Sequence, residues 1–155
     1  VLALSPPPAN CKWDNLSFVS TLYLCPILDL LLAGIPDPCQ AEVRLGLQEA
    51  LVNAAKHGNK LDPGKTISVK FTVNGDDYWW IITDQGSGFS YPCCRHSNLD
   101  DECDQSGEEC GRGLYILQRV FDDVIWVQGG CELHLRKRVR RRTKFPLFAE
   151  SVTHG

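Results

Sequence analysis

The sequence predicts an α+β two-layer sandwich: a mixed, mainly antiparallel sheet with helices on one face. Three observations predict it. Two hairpin signatures stand out, Asn74-Gly75 between TISVKFTV and YWWIIT, and Gly129-Gly130 between VIWV and ELHLRKRV. Two helical stretches precede the first hairpin and a third separates it from the second. Strands grouped around tight turns, instead of alternating one by one with helices, argue against a doubly wound parallel sheet. A chain of 155 residues suits a single domain with a full core.

Each element has its own signal. Residues 1–14 open with the run Pro6-Pro7-Pro8 and are expected to be disordered, leaving a folded domain at 15–139 and a basic tail at 140–155. Residues 16–22 (LSFVSTL) read as a strand, and 26–33 as a short helix that stops at Gly34. Pro36-Asp37-Pro38 marks a turn, and a long helix follows over 40–57 with Gly58 as its C-cap. Apolar and polar residues alternate through 66–73, and 78–83 is the returning strand. Residues 89–110 lack apolar periodicity and hold six acids and four cysteines, so a mobile loop is expected there. Helical pattern resumes over 113–121, and 124–127 pairs with 132–139 in the closing hairpin.

Bulk composition narrows the class. Apolar content of 43% and charged content of 23% are those of a soluble globular protein. The longest apolar stretch, 22–35, is broken by Cys25, Pro26 and Asp29 and is too short to span a bilayer, so no membrane role is expected. The N-terminus lacks a secretory pattern, and a cytoplasmic location is expected. In that reducing compartment the eight cysteines are expected as free thiols. Cys93, Cys94, His96, Cys103 and Cys110 crowd the acidic loop without the close spacing of a structural zinc site. Seven of the sixteen cations fall between Arg136 and Lys144, leaving nine against nineteen carboxylates elsewhere. A solvated basic extension explains this cluster, and nucleic-acid binding is not expected.

Within the long helix, EALVNAAKHGN places Glu49, Asn53 and His57 at four-residue steps. With Val43 at zero, Leu47, Ala50, Ala54 and Gly58 fall between about −20° and +60° around the axis, which makes them the core stripe. The polar row falls at about 240° to 320°, on the border between core and exterior. Such a row is either a solvated edge or the wall of a ligand pocket, and the helix alone leaves both open. Leu45 and Val52 lie opposite the stripe and mark a candidate dimer or partner surface.

Two glycine-bearing segments bear on that choice. Asp84-x-Gly86-x-Gly88 follows the strand 78–83: a carboxylate that can accept from a base amine, then two residues that let the main chain approach a ligand. The same residue types also make ordinary turns. Gly111-Arg112-Gly113-Leu114 opens a helix, where unpaired amides and a guanidinium suit a phosphate chain. The stretch from Gly58 to Thr66 only looks like a P-loop, because five residues separate its glycines and it leads from helix to strand.

In this order and on these elements, Glu49-x-x-x-Asn53-x-x-x-His57-Gly58, Asp84-x-Gly86-x-Gly88-Phe89 and Gly111-Arg112-Gly113-Leu114 resemble the GHKL superfamily of ATP-binding domains. The phrases HGNKLDPGKTISV and GRGLYILQRVFDDV make residues 15–139 similar to the anti-sigma-factor serine/threonine kinases of bacterial partner-switching systems. The resemblance implies a Bergerat-type ATP-binding fold with ATP and Mg2+ as cofactors. It implies Asn53 as the Mg2+ ligand, Glu49 as the base and Asp84 as the adenine acceptor. Gly86 and Gly88 would pass close to the nucleotide, Gly111, Arg112, Gly113 and Leu114 would cover the phosphates, and His57 would stand at the pocket edge. The implied substrate is an anti-sigma-factor antagonist, the implied partner a sigma factor, and a homodimer is a further expectation. The family usually has threonine after the glycine of the last hairpin, where this chain has Cys131, a weaker donor. That departure supports the alternative of a silent ATP-binding module that grips its partner without phosphoryl transfer.

Overall fold

Alternating burial decides which way the strands face. In β2 (Thr66–Asn74) Ile67 and Val69 are fully buried, and in β3 (Asp77–Thr83) Tyr78, Trp80 and Ile82 turn inward with them. The computed structural model describes residues 5–88 and 108–140. Before these strands come β1 (Asp14–Val19), α1 (Cys25–Leu32) and α2 (Asp37–Asn53), the last continuing into a single π-helical turn, Ala54–Gly58. After them come α3 (Glu108–Val120), β4 (Asp123–Val127) and β5 (Glu132–Arg138). The sheet order is β1-β2-β3-β5-β4, with every neighbouring pair antiparallel.

This is the expected α+β two-layer sandwich, with one correction. No parallel pair is present among the described residues. β3 and β4 do run in the same direction, but β5 folds back between them and makes both ladders antiparallel. The helices cover one face: Leu28, Leu47, Leu51 and Leu117 meet Val69, Trp80 and Leu135 in one core. Each large side chain so buried contributes roughly 1.5–3 kcal/mol. Trp80 meets Phe121 edge-on at 5.7 Å between ring centroids. A Cβ at Gly46 would lie 2.6 Å from the Phe121 ring, so the bare glycine is what lets this ring sit against α2.

Several boundaries differ from expectation for local reasons. α2 starts at Asp37, because Pro38 fits the first helical turn, where its missing amide costs nothing. Residues 5–13 were expected to be disordered but are tied to the sheet. Thr72 Oγ1 donates to the Lys12 carbonyl at 2.7 Å, and Trp13 Nε1 donates to the Pro8 carbonyl at 3.2 Å. Thr72 is the register partner of Trp79, which is 3% exposed on the face away from the helices. Leu45 is exposed as expected, whereas Val52 is half-buried against the core.

The basic cluster also divides. Arg136 and Arg138 lie in β5 and share Asp77, Arg136 also holds Asp123 at 2.6 Å, and Lys137 reaches Glu42 at 3.2 Å. Three of the seven clustered cations are therefore neutralised inside the fold. Cys93, Cys94, His96 and Cys103, the Cys110 side chain, and the tail from Arg141 onward lie outside the described residues. Among the described residues no helix is long and apolar enough to cross a membrane.

Candidate functional site

The polar row on α2 stands where its periodicity put it. Val43, Leu47 and Ala50 are at most 1% exposed, while Glu49 is half-buried beside them and Asn53 is 9% exposed. α3 crosses this row at Gly113. A Cβ there would lie 3.2 Å from Asn53 Nδ2 and 3.4 Å from Glu49 Oε2. The glycine therefore brings the α3 backbone directly over the pair. Leu114 is half-buried and Arg112 exposed next to it. α3 begins at Glu108, earlier than the expected start, so Arg112 and Gly113 fall past the amides that a helix N-terminus leaves unpaired. Gly111 lies in the same early turns.

Beyond Asn53 the helix widens. The Asn59 amide donates to the Ala54 carbonyl at 2.8 Å, a five-residue step, so the turn spreads and His57 trails the row that Glu49 and Asn53 form. His57 is half-buried there. Gly58 was expected as a left-handed cap, but the left-handed residues are Lys60 (φ 52°) and Leu61 (φ 58°). The need for glycine at 58 is contact: a Cβ would overlap the Asp84 carboxylate. Gly86 is constrained in the same way, since a Cβ there would overlap the Gly58 carbonyl. The segment after β3 is thus pressed against the end of α2.

Asp84 is 7% exposed. Its Oδ1 accepts from the Gly86 amide at 2.8 Å, and its own amide donates to the Cys131 carbonyl at 2.9 Å. Burial pushes the carboxyl above its usual range, against the opposing pull of the Gly86 amide and the charge of Lys65. No cation pairs with it at salt-bridge distance among the described residues. Cys131 faces the same segment: its Sγ donates to the Gly86 carbonyl at 3.2 Å. Desolvation and then the Asp84 charge raise this thiol, which keeps it a protonated donor. Gly88 passes so close to the Gly129 carbonyl that a Cβ would overlap it.

One member of the site escaped sequence reasoning. Asn59 is 0% exposed, and its Nδ2 donates to the Thr66 carbonyl at 2.9 Å while its Oδ1 accepts the Gln85 amide at 2.8 Å. Its position directly after His57-Gly58 was the only available signal.

The residue types present fit a hard cation. Both the Asn53 side-chain amide and the Glu49 carboxylate lie under Gly113, with no hydrogen bond from either side chain to another described residue. An amide oxygen left in that state suits Mg2+, which binds through few protein groups.

A sandwich of this kind, with a Glu/Asn row under Gly113 and a buried aspartate without a cation against Gly58, is that of a GHKL-type ATP-binding domain. Residues 27–137 match the Histidine kinase-like ATPase domain family, and the chain belongs to it. It is 28% identical over 105 residues to the serine-protein kinase RsbW of Bacillus licheniformis, covering 64% of this chain and 65% of that protein. Against the serine-protein kinase RsbW of Bacillus subtilis (strain 168) it is 28% identical over 87 residues, 54% of each chain. The chain therefore spans between half and two thirds of the length of these relatives.

Proposed function

We propose that this chain is an ATP-dependent serine/threonine-protein kinase that acts as an anti-sigma regulatory factor. The observation that carries the reading is the placement of Glu49 and Asn53 under Gly113, with Asp84 against Gly58, five residues past Asn53 at the end of the same helix. Adenine would donate its amine to Asp84, and the triphosphate would run toward Asn53. Asn53 would hold Mg2+, whose charge would offset that of the phosphates. Arg112 would add a cation from α3. Glu49 would take the proton of a serine or threonine hydroxyl as that oxygen bonds to the γ-phosphorus. The bond from this phosphorus to the bridging oxygen breaks, and ADP leaves. Positioning and electrostatics supply most of what this chemistry needs.

The substrate in this reading is an anti-sigma-factor antagonist and the second partner a sigma factor, with a homodimer in the cytoplasm as the working form. Similarity to the two RsbW kinases supports the kind of partner. The test follows phosphoserine and phosphothreonine on such an antagonist by mass spectrometry, with ATP binding measured in parallel. Glu49→Gln should lower transfer by roughly 10²–10⁴ while leaving ATP bound. Undiminished transfer in that variant would remove Glu49 as the base. The second reading, a silent module, is favoured by Cys131, whose thiol is spent on the Gly86 carbonyl. ATP-dependent partner binding with no phosphorylated product would establish it.

A further inference from the structure

We infer that Asn59 is a positioning residue for base recognition: its side chain joins the end of α2 to Gln85 and thereby fixes the Asp84 carboxylate against Gly58. This inference rests on the nucleotide reading above.

The two segments run side by side for three residues. Asp84 meets Gly58, the Gln85 amide meets Asn59 Oδ1 at 2.8 Å, and Gly86 meets the Gly58 carbonyl. Asn59 is fully buried, so water cannot take its place in this seam. Its Nδ2 holds the Thr66 carbonyl, and the Thr66 amide donates to Gln85 Oε1 at 2.8 Å. Asn59, Thr66 and Gln85 therefore form a closed hydrogen-bonded ring around one link of the Asp84 segment. The backbone of Asn59 is committed as well, its amide to Ala54 and its carbonyl to the Asp62 amide at 3.1 Å. Ala54 directly follows Asn53, so the ring is anchored on the turn next to that residue. A second tie steadies that turn: Ser20 Oγ donates to the Ala55 carbonyl at 3.4 Å. Every part of Asn59 thus serves the placement of a carboxylate it does not touch.

The experiment separates the base end from the phosphate end. Calorimetry with ATP, GTP and inorganic tripolyphosphate, each with Mg2+, is run on the wild type, Asn59→Ala and Gln85→Ala. Asn59→Ala should weaken ATP about tenfold and narrow the preference for ATP over GTP, while tripolyphosphate affinity stays unchanged. Gln85→Ala alters only an exposed side chain and should show the same pattern at about two- to threefold, which keeps the test alive if Asn59→Ala does not fold. Equal losses for ATP and tripolyphosphate, or an unchanged ATP-to-tripolyphosphate ratio in the folded variants, would overturn the inference. A wild type that binds no ATP would overturn it together with the nucleotide reading.

Discussion

β3 opens on one aspartate and is followed directly by another, and the two live in opposite circumstances. Asp77 opens the strand beside Arg138 and Arg136, with contacts of 3.1 Å to each. Burial alone would raise its carboxyl, but the two guanidinium groups outweigh that and hold it below the usual range. Asp84 follows the strand's last residue, is more deeply buried, and has a backbone amide where Asp77 has arginines. Its carboxyl is pushed the other way. A half-buried carboxylate with two cations is part of the scaffold, whereas one kept without a cation is, in the reading proposed above, a cost the fold bears for a ligand. The chemistry of the two residues is identical, so the difference lies wholly in what surrounds them.

The largest expected effect comes from disturbing the unpaired end. Gly58→Ala would drive a methyl into the Asp84 carboxylate, and displacing that group at a cost of about 1–3 kcal/mol corresponds to roughly fivefold to 150-fold weaker ATP binding. An ATP affinity like the wild type's in the folded variant would show that Asp84 need not sit there.

Asp84→Asn keeps the acceptor for the Gly86 amide but removes the charge. ATP should bind about tenfold more weakly. The sign for stability is opposite. Between the ordinary carboxylate value and the raised one, folded Asp84 holds a proton that the unfolded chain has lost, so its contribution falls as pH rises through that window. At neutral pH the asparagine variant should therefore melt no lower than the wild type, a comparison that thermal denaturation makes directly. For the same reason, wild-type ATP affinity should fall with acid at a higher pH than an ordinary aspartate would allow.

Asp77→Asn has the smallest effect on ligand and the reverse effect on folding. Its depressed value means the unfolded chain takes up the proton first, so the stability it provides is present above the ordinary carboxylate value and lost as pH falls through the folded one. Loss of this partly buried pairing should cost about 1–2 kcal/mol at neutral pH, with ATP affinity unchanged. A drop in ATP affinity matching that of Asp84→Asn would erase the contrast between the two ends.

Much of this was legible in the sequence because periodicity reports burial. The stripe through Val43, Leu47 and Ala50 put Glu49 and Asn53 at the core border, and both hairpins were written in their turn glycines. What was hidden depends on contacts between distant segments. Gly58 looked like a cap because glycine usually ends helices through a positive φ, yet here the reason is the Asp84 carboxylate, twenty-six residues away. The π-helical turn leaves no mark in composition; the contacts around it, from Asn59 to Thr66 and from Ser20 to Ala55, join segments distant in the sequence. Asn59 itself carried no signal beyond its place after His57-Gly58. Residues 5–13 lacked any periodic signal, because single hydrogen bonds to Thr72 and Pro8 hold them instead of an apolar face. Arg136, Lys137 and Arg138 were counted in one basic cluster with the tail, because the acids that neutralise them come from other parts of the chain.

The central claim is that the Glu49–Asn53 row and Asp84 are two ends of one nucleotide site. Calorimetric titration with ATP, with and without Mg2+, on the wild type and Asn53→Ala tests it most directly. ATP binding that depends on Mg2+ in the wild type and loses that dependence in Asn53→Ala, with affinity falling by about tenfold or more, is the expected result. Binding that ignores both Mg2+ and the Asn53 substitution would contradict the claim, as would no ATP binding at all.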